Sequence, residues 1–291
     1  MTDQQPPQDY YTPRPMPDAE DAAPAPHSAP ATGPRSNLHY TIHGHDIQFV
    51  EINLQPGEAA IAEVGALMYM DNGIQMNTRM GDGSQKNSGV FGSILSMGKR
   101  YMAGESVFIT FFTNNSNRMA KVAFAASYPG TIIPFDLRSL GTVMCQKDGF
   151  LCGTKGVSVG MGFTKRVGAG MLGGDGYVLE KLSGDGLAFI NAGGSILERE
   201  LAPGETIYVE SGSIVAFQNT VDFSIKMVQG MSNVILGSEN LFLSTLKGPG
   251  RVWIQSMPFF SLVYTLRQAM IETMSKKENK RERKRVRRMT K

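Results

Sequence analysis

Gly156-Val157-Ser158-Val159-Gly160 has the spacing of a G-x-S-x-G nucleophile elbow, the turn that presents a serine for acyl transfer. That chemistry needs a helix opening after the serine and, in chain order, a histidine beyond it. All four histidines precede Ser158 and no helical pattern follows, so the stretch reads as a glycine-rich strand. Ser96-Met97-Gly98-Lys99 fits the S-x-x-K spacing of penicillin-binding enzymes without their other motifs. Gly168-Ala169-Gly170-Met171-Leu172-Gly173 fits the G-x-G-x-x-G of dinucleotide sites, but it leads into another strand rather than opening a helix. Gly98-Lys99-Arg100 lacks the Ser or Thr and the spacing of a phosphate-binding loop. The chain is therefore expected not to be an enzyme, with no cofactor and no small-molecule substrate.

His39, His43 and His45 share strand parity, and alternate histidines with Asp46 beside them have the means to grip a metal. Gly44 and a shift in apolar parity point instead to a bend at a solvated strand entrance, and no metal is expected. Cys145 and Cys152 are too few for a secreted disulfide framework and have no partners at metal-site spacing. A two-residue turn at Asp148-Gly149 would set them opposite each other in a hydrogen-bonded pair. There Cα atoms lie ~5.5 Å apart in a geometry awkward for a disulfide. Reduced packing cysteines are expected rather than a redox switch.

The elements that would position any site come from the texture of the whole chain. Residues 1–36 are rich in Pro, Ala, Asp and Gln with hardly any large aliphatics, a composition that predicts a disordered leader. From Leu38 onward, short alternating segments such as "DIQFVEINL", "LAFINA" and "GRVWIQS" are punctuated by glycine, the pattern of an all-β sandwich or barrel. The glycines also measure out a repeat. Gly57 and Gly65, Gly141 and Gly149, and Gly204 and Gly212 are each eight apart. The second of each pair sits in a matching frame: Glu63-Val64-Gly65-Ala66-Leu67, Lys147-Asp148-Gly149-Phe150-Leu151 and Glu210-Ser211-Gly212-Ser213-Ile214. Glycine there permits the positive φ that lets two strands fold back in a tight hairpin. Three copies, about 38–126, 127–192 and 193–258, make a β domain over 37–266, expected to close around a shared core with pseudo-threefold symmetry.

Three segments at corresponding places mix Gly, Met and aliphatics with basic residues: 90–102, 165–174 and 226–237. Ile94, Met97, Met171, Leu172, Met231 and Ile235 are candidate apolar contact residues for a partner or lipid surface. Residues 267–291 are expected to make an amphipathic and then polybasic helical tail. Residues 276–291 hold ten Lys or Arg against Glu278 and Glu282, a local balance of +8, so the rest of the chain carries −5 of the net +3. Lys276, Lys277, Lys280, Arg281, Arg283, Lys284, Arg285, Arg287 and Arg288 are candidates for binding an anionic surface. No aromatic residue interleaves these charges, which disfavours nucleic acid relative to lipid. No apolar run approaches the roughly 18 to 20 residues that cross a bilayer, and the first thirty residues lack a signal-peptide pattern. A cytoplasmic location is expected, peripheral to the inner face of the membrane; the sequon Asn114-Asn115-Ser116 is then without consequence.

"GALMYMDNGIQM", "GKRYMAGESVFITFFTN", "YPGTIIPFDL", "CQKDGFLC", "FINAGGSILERELAPGE" and "GPGRVWIQSMPF", in this order over about residues 38 to 266, resemble the altered-inheritance-of-mitochondria twenty-four family. The resemblance implies a β-sandwich of internally repeated units like that of the tryptophan-RNA-binding attenuation protein. It carries over no catalytic residues, and it implies a scaffold-like role near a membrane. The basic extension and "LGSENLF" in the third copy depart from the family pattern. The expected function is an interaction scaffold with a protein partner or self-association, peripheral to an anionic membrane. The alternative is a nucleic-acid or small-ligand binding module.

Overall fold

The computed structural model describes residues 39–80, 108–165, 177–227, 242–259, 261–271 and 273. The leader, the six candidate contact residues from Ile94 to Ile235 and the candidate tail cations from Lys276 to Arg288 lie outside the described residues. After a first strand, β1 (His39–His43), the strands fall into three series of six. The first is β2 (Phe49–Leu54), β3 (Ala59–Glu63), β4 (Leu67–Met70), β5 (Ile74–Met80), β6 (Phe108–Asn114) and β7 (Ala120–Ala125). The second is β8 (Thr131–Asp136), β9 (Val143–Gln146), β10 (Phe150–Thr154), β11 (Val157–Lys165), β12 (Tyr177–Gly184) and β13 (Leu187–Ala192). The third is β14 (Ile196–Leu201), β15 (Thr206–Glu210), β16 (Ile214–Gln218), β17 (Asp222–Met227), β18 (Phe242–Lys247) and β19 (Gly250–Gln255).

Naming the six positions of each series a to f makes the repeat explicit. Strands a, f and c lie in one sheet, and b, e and d in the next. The four sheets run β1-β2-β7-β4, β5-β6-β3-β10-β13-β8, β11-β12-β9-β16-β19-β14 and β15-β18-β17. Each six-stranded sheet is half one copy and half the following copy, joined where strand b of the first pairs antiparallel with strand c of the second. The two joints are β3 with β10 and β9 with β16.

The hairpins expected at Gly65, Gly149 and Gly212 are therefore not formed: at each of these glycines the chain leaves one sheet and enters another. The reason lies in the side chains. Strands b and c carry apolar residues on both faces, as in Ala60-Ile61-Ala62 and Phe150-Leu151-Cys152, all buried. Such strands lose most contact with water when set inside a sheet that is covered on both sides. Cys145 and Cys152 accordingly sit in different sheets, opposite Glu180 and Ala216 and opposite Ala62 and Phe189 respectively. Both are free and buried.

The copies also do not close around one core. Buried side chains form three clusters, one between each pair of successive sheets: Ile52, Phe112 and Phe189 in the first; Phe135, Phe150 and Trp253 in the second; Leu179, Phe217 and Leu246 in the third. Among the described residues no sheet is a closed barrel. The glycines that precede strand b all have positive φ, of 81°, 71° and 80° at Gly57, Gly141 and Gly204. In the corner frames the copies differ. Gly65 has φ 94°, whereas in the second copy Asp148 takes the left-handed conformation at φ 61° in place of Gly149, and Gly212 lies in a 3-10 turn over Ser211–Ser213.

Phe189 is fully buried on β13, and its ring meets Tyr40 edge-on at 4.8 Å. Phe189→Ala is expected to lower unfolding free energy by about 3–5 kcal/mol. Leu197→Ala, at an exposed position of β14, should change it by no more than about 0.5 kcal/mol. Urea unfolding of the two variants makes the comparison, and equal effects would contradict this placement of the core.

Candidate functional site

The three corners that carry the chain between sheets converge on one cavity of about 560 Å³. Its lining takes Glu63, Lys147–Leu151 and Glu210–Gly212 from the three frames, with Tyr128 from the β7–β8 connection and Asn191 from the end of β13. The Tyr128 and Phe259 rings lie 4.7 Å apart at one side of it. Gln255 at the end of β19 braces the wall: its Nε2 donates to Gln146 Oε1 at 2.7 Å and to the Gly212 carbonyl at 2.8 Å, while its Oε1 accepts from the Gly193 amide at 2.8 Å. A single amide thereby ties the second copy to the third.

Two carboxylates of the lining, Glu63 and Asp148, meet a third, Glu180, which does not itself line the cavity. One oxygen from each of Glu63, Asp148 and Glu180 lies within 4.8 Å of the others. Glu180, on β12, is buried; its Oε1 accepts from the Asp148 amide at 3.4 Å, and the Cys145 thiol donates to its Oε2 at 3.8 Å. Burial, reinforced by repulsion from Glu63 and Asp148, pushes the Glu180 carboxyl up to about 8. Glu63 is pushed up to about 7, first by burial and then by Asp148, with Lys147 pulling the other way. Burial and the neighbouring Glu180 raise the Cys145 thiol well above its ordinary range, so it is a poor nucleophile. The Tyr128 hydroxyl is raised by burial, offset in part by the nearby Asn191 amide. The Asn191 amide atoms are themselves buried with no partner in hydrogen-bond geometry.

Chemically, the trio can share protons, attract a cation or receive a hydrogen-bond donor. Among the described residues it is the one group of carboxylate, thiol and imidazole side chains close enough to hold a metal ion. The described histidines take no part: His39 and His43 lie on β1, His43 stacks on Phe49 at 4.7 Å, and Gly44, at φ 89°, bends the chain before His45. Ser158 lies within β11 opposite Ser183, not at a strand-to-helix turn. Leu266 and Met270 are exposed on a helix over 261–271. Sequence reasoning missed the trio because its members come from strand b of copy one, the corner of copy two and strand e of copy two. The one available signal was Glu180, a charge inside the apolar alternation of "YVLEKL".

The family model described as Mitochondrial biogenesis AIM24 matches residues 40–257. An uncharacterized protein of Streptococcus pyogenes serotype M6 is 26% identical over 236 residues, spanning 80% of this chain and 91% of the relative. A Streptococcus pyogenes protein with a crystal structure is similar with a TM-score of 0.62 at 25% identity, covering 80% of this chain and 99% of that one.

The carboxyls impose a pH dependence on stability. Unfolded glutamates titrate near 4.3, whereas the fold holds its protons on Glu63 and Glu180 up to about 7 and about 8. As pH rises between these limits the unfolded chain has released protons that the native chain retains, so stability is full in acid and declines through pH 7 to 8. Glu180→Gln should flatten much of that decline. Urea midpoints at pH 5.5 and 8.5 for both proteins measure it; a slope unchanged in the variant would contradict this assignment.

Proposed function

The chain belongs to the Mitochondrial biogenesis AIM24 family, and from that premise we propose that it is a non-enzymatic interaction scaffold, held at the cytoplasmic face of an anionic membrane by its basic tail. The observation that carries the scaffold reading is a contrast between equivalent strands. Strands β10 and β16, at position c, are buried at every residue but the last, and β3 and β9, at position b, are buried through their centres. Strands β4 and β15 hold the same positions at the two ends of the repeat and are mostly exposed. Met68 and Tyr208 are 53% and 68% exposed. Two strands built for burial and left open are protein-binding edges.

Among the described residues no helix is long and apolar enough to cross a membrane. Attachment would instead come from the ten cations of residues 276–291, each worth about 1 kcal/mol near an anionic leaflet. The cavity favours a second reading, a small-ligand module, because it joins aromatic walls to convergent polar groups. Native mass spectrometry of the purified protein would reveal a retained metabolite if that reading holds.

Flotation with liposomes tests the membrane attachment. The full chain should float with anionic but not neutral vesicles, lose most binding in high salt, and stay at the bottom when truncated after Ser275. Flotation that survives truncation would overturn tail-borne attachment, and tail-dependent RNA retention without flotation would move the tail's partner to nucleic acid.

A further inference from the structure

The two internal joints obey one rule of register. In the first, Ala62 lies opposite Cys152 and Ile61 opposite Gly153. Ala62 is three residues before Gly65 and Cys152 three after Gly149, so the partners are equidistant from their frame glycines. In the second, Cys145 lies opposite Ala216 and Met144 opposite Phe217. Cys145 is four before Gly149 and Ala216 four after Gly212, which is the same rule. Two joints with different side chains share the register, so backbone geometry at the corners sets it.

A third joint of this kind needs a strand b and a strand c. The free ones are β15 of the third copy and β4 of the first, each the terminal strand of its sheet among the described residues. They do not pair with each other within the chain. We propose that β15 of one molecule pairs antiparallel with β4 of a second copy, in a head-to-tail assembly that repeats the internal joint. Applying the rule to Gly212 and Gly65 sets Val209 opposite Met68, Tyr208 opposite Tyr69 and Ile207 opposite Met70. The joined sheet reads β17-β18-β15 and then β4-β7-β2 of the next molecule, the d-e-b-c-f-a order of the two complete sheets. Apolar and aromatic pairs face each other across the whole joint, the composition that stabilises cross-strand contacts. The two surfaces are different, so each molecule keeps one free end after pairing, and association continues to a ring or an open filament.

This inference rests on the scaffold reading and names its partner. It is tested on the full chain by light scattering coupled to size exclusion. Mass should rise with concentration above the 31.7 kDa of one chain. Met68→Lys blocks the β4 end and Tyr208→Lys the β15 end, both at exposed positions, so melting temperatures should stay within a few degrees of the parent. Each variant alone should pair far more weakly through its charged edge and run as a monomer. Their equimolar mixture should form a dimer and stop there, since one intact β15 meets one intact β4 and both remaining ends are blocked. Met68→Pro and Tyr208→Pro provide a second pair that removes a ladder donor instead of adding a charge. A parent that stays monomeric at every concentration, or variants that assemble as the parent does, would overturn the inference. Tail-dependent flotation of such a monomeric parent would leave the membrane reading standing.

Discussion

The architecture depends on one requirement: strands whose side chains are apolar on both faces must lie inside a sheet that is covered on both sides. Positions b and c of the repeat carry such strands, and a local hairpin between them would leave one face of each in water. The chain instead sends b into one sheet and c into the previous one, where each meets the opposite kind of strand from a neighbouring copy. Sheets shared between copies, stacked with a separate apolar layer in each interval, are the result. The fully buried strand β13, with all six of its residues buried, exists only because sheets cover it above and below.

That same requirement makes the cavity. Corners between sheets cannot continue a ladder, so they concentrate turn backbone, glycine and polar side chains, and three of them meet at one place. The repeated frame gives each corner a charged residue, and surroundings then separate their roles. Glu210 spends its carboxylate on the amides of Gly212 and Ser213, at 3.0 and 2.9 Å. Its counterpart Glu63 faces Asp148 and Glu180, where burial and like charge favour the protonated form. Residues at equivalent places of one chain thus meet different surroundings: one carboxylate is taken up by backbone donors, the other is partly buried beside a second carboxylate.

The body and the tail divide the electrostatics as well. The basic excess is confined to the last sixteen residues, while the remainder is net negative. A body of that sign is repelled by an anionic surface and a tail of the other sign is drawn to it, so the proposed attachment lies apart from the proposed strand joint. A long-range field of this kind weakens with salt, whereas an apolar strand joint does not.

Glycine spacing and alternating apolar residues were enough to reveal an all-β protein of three copies, because strand period and turn conformation are local properties that each copy spells out for itself. The positive φ at Gly57, Gly141 and Gly204 belongs to that local information. The partner of each strand was not legible. Gly65 and Gly149 signal a sharp turn whether the next strand folds back on the last or crosses to another sheet, and only burial over distances of about ninety residues, as between Ala62 and Cys152, chooses between them. Glu63, Asp148 and Glu180 became a site for the same reason: each is an ordinary charged residue in sequence, and the stacking of sheets brings their oxygens together and withdraws them from water. The sequence by itself determined the repeat and its turns; the competition among sheets for buried faces decided the pairing, the cavity and which two strands remain open.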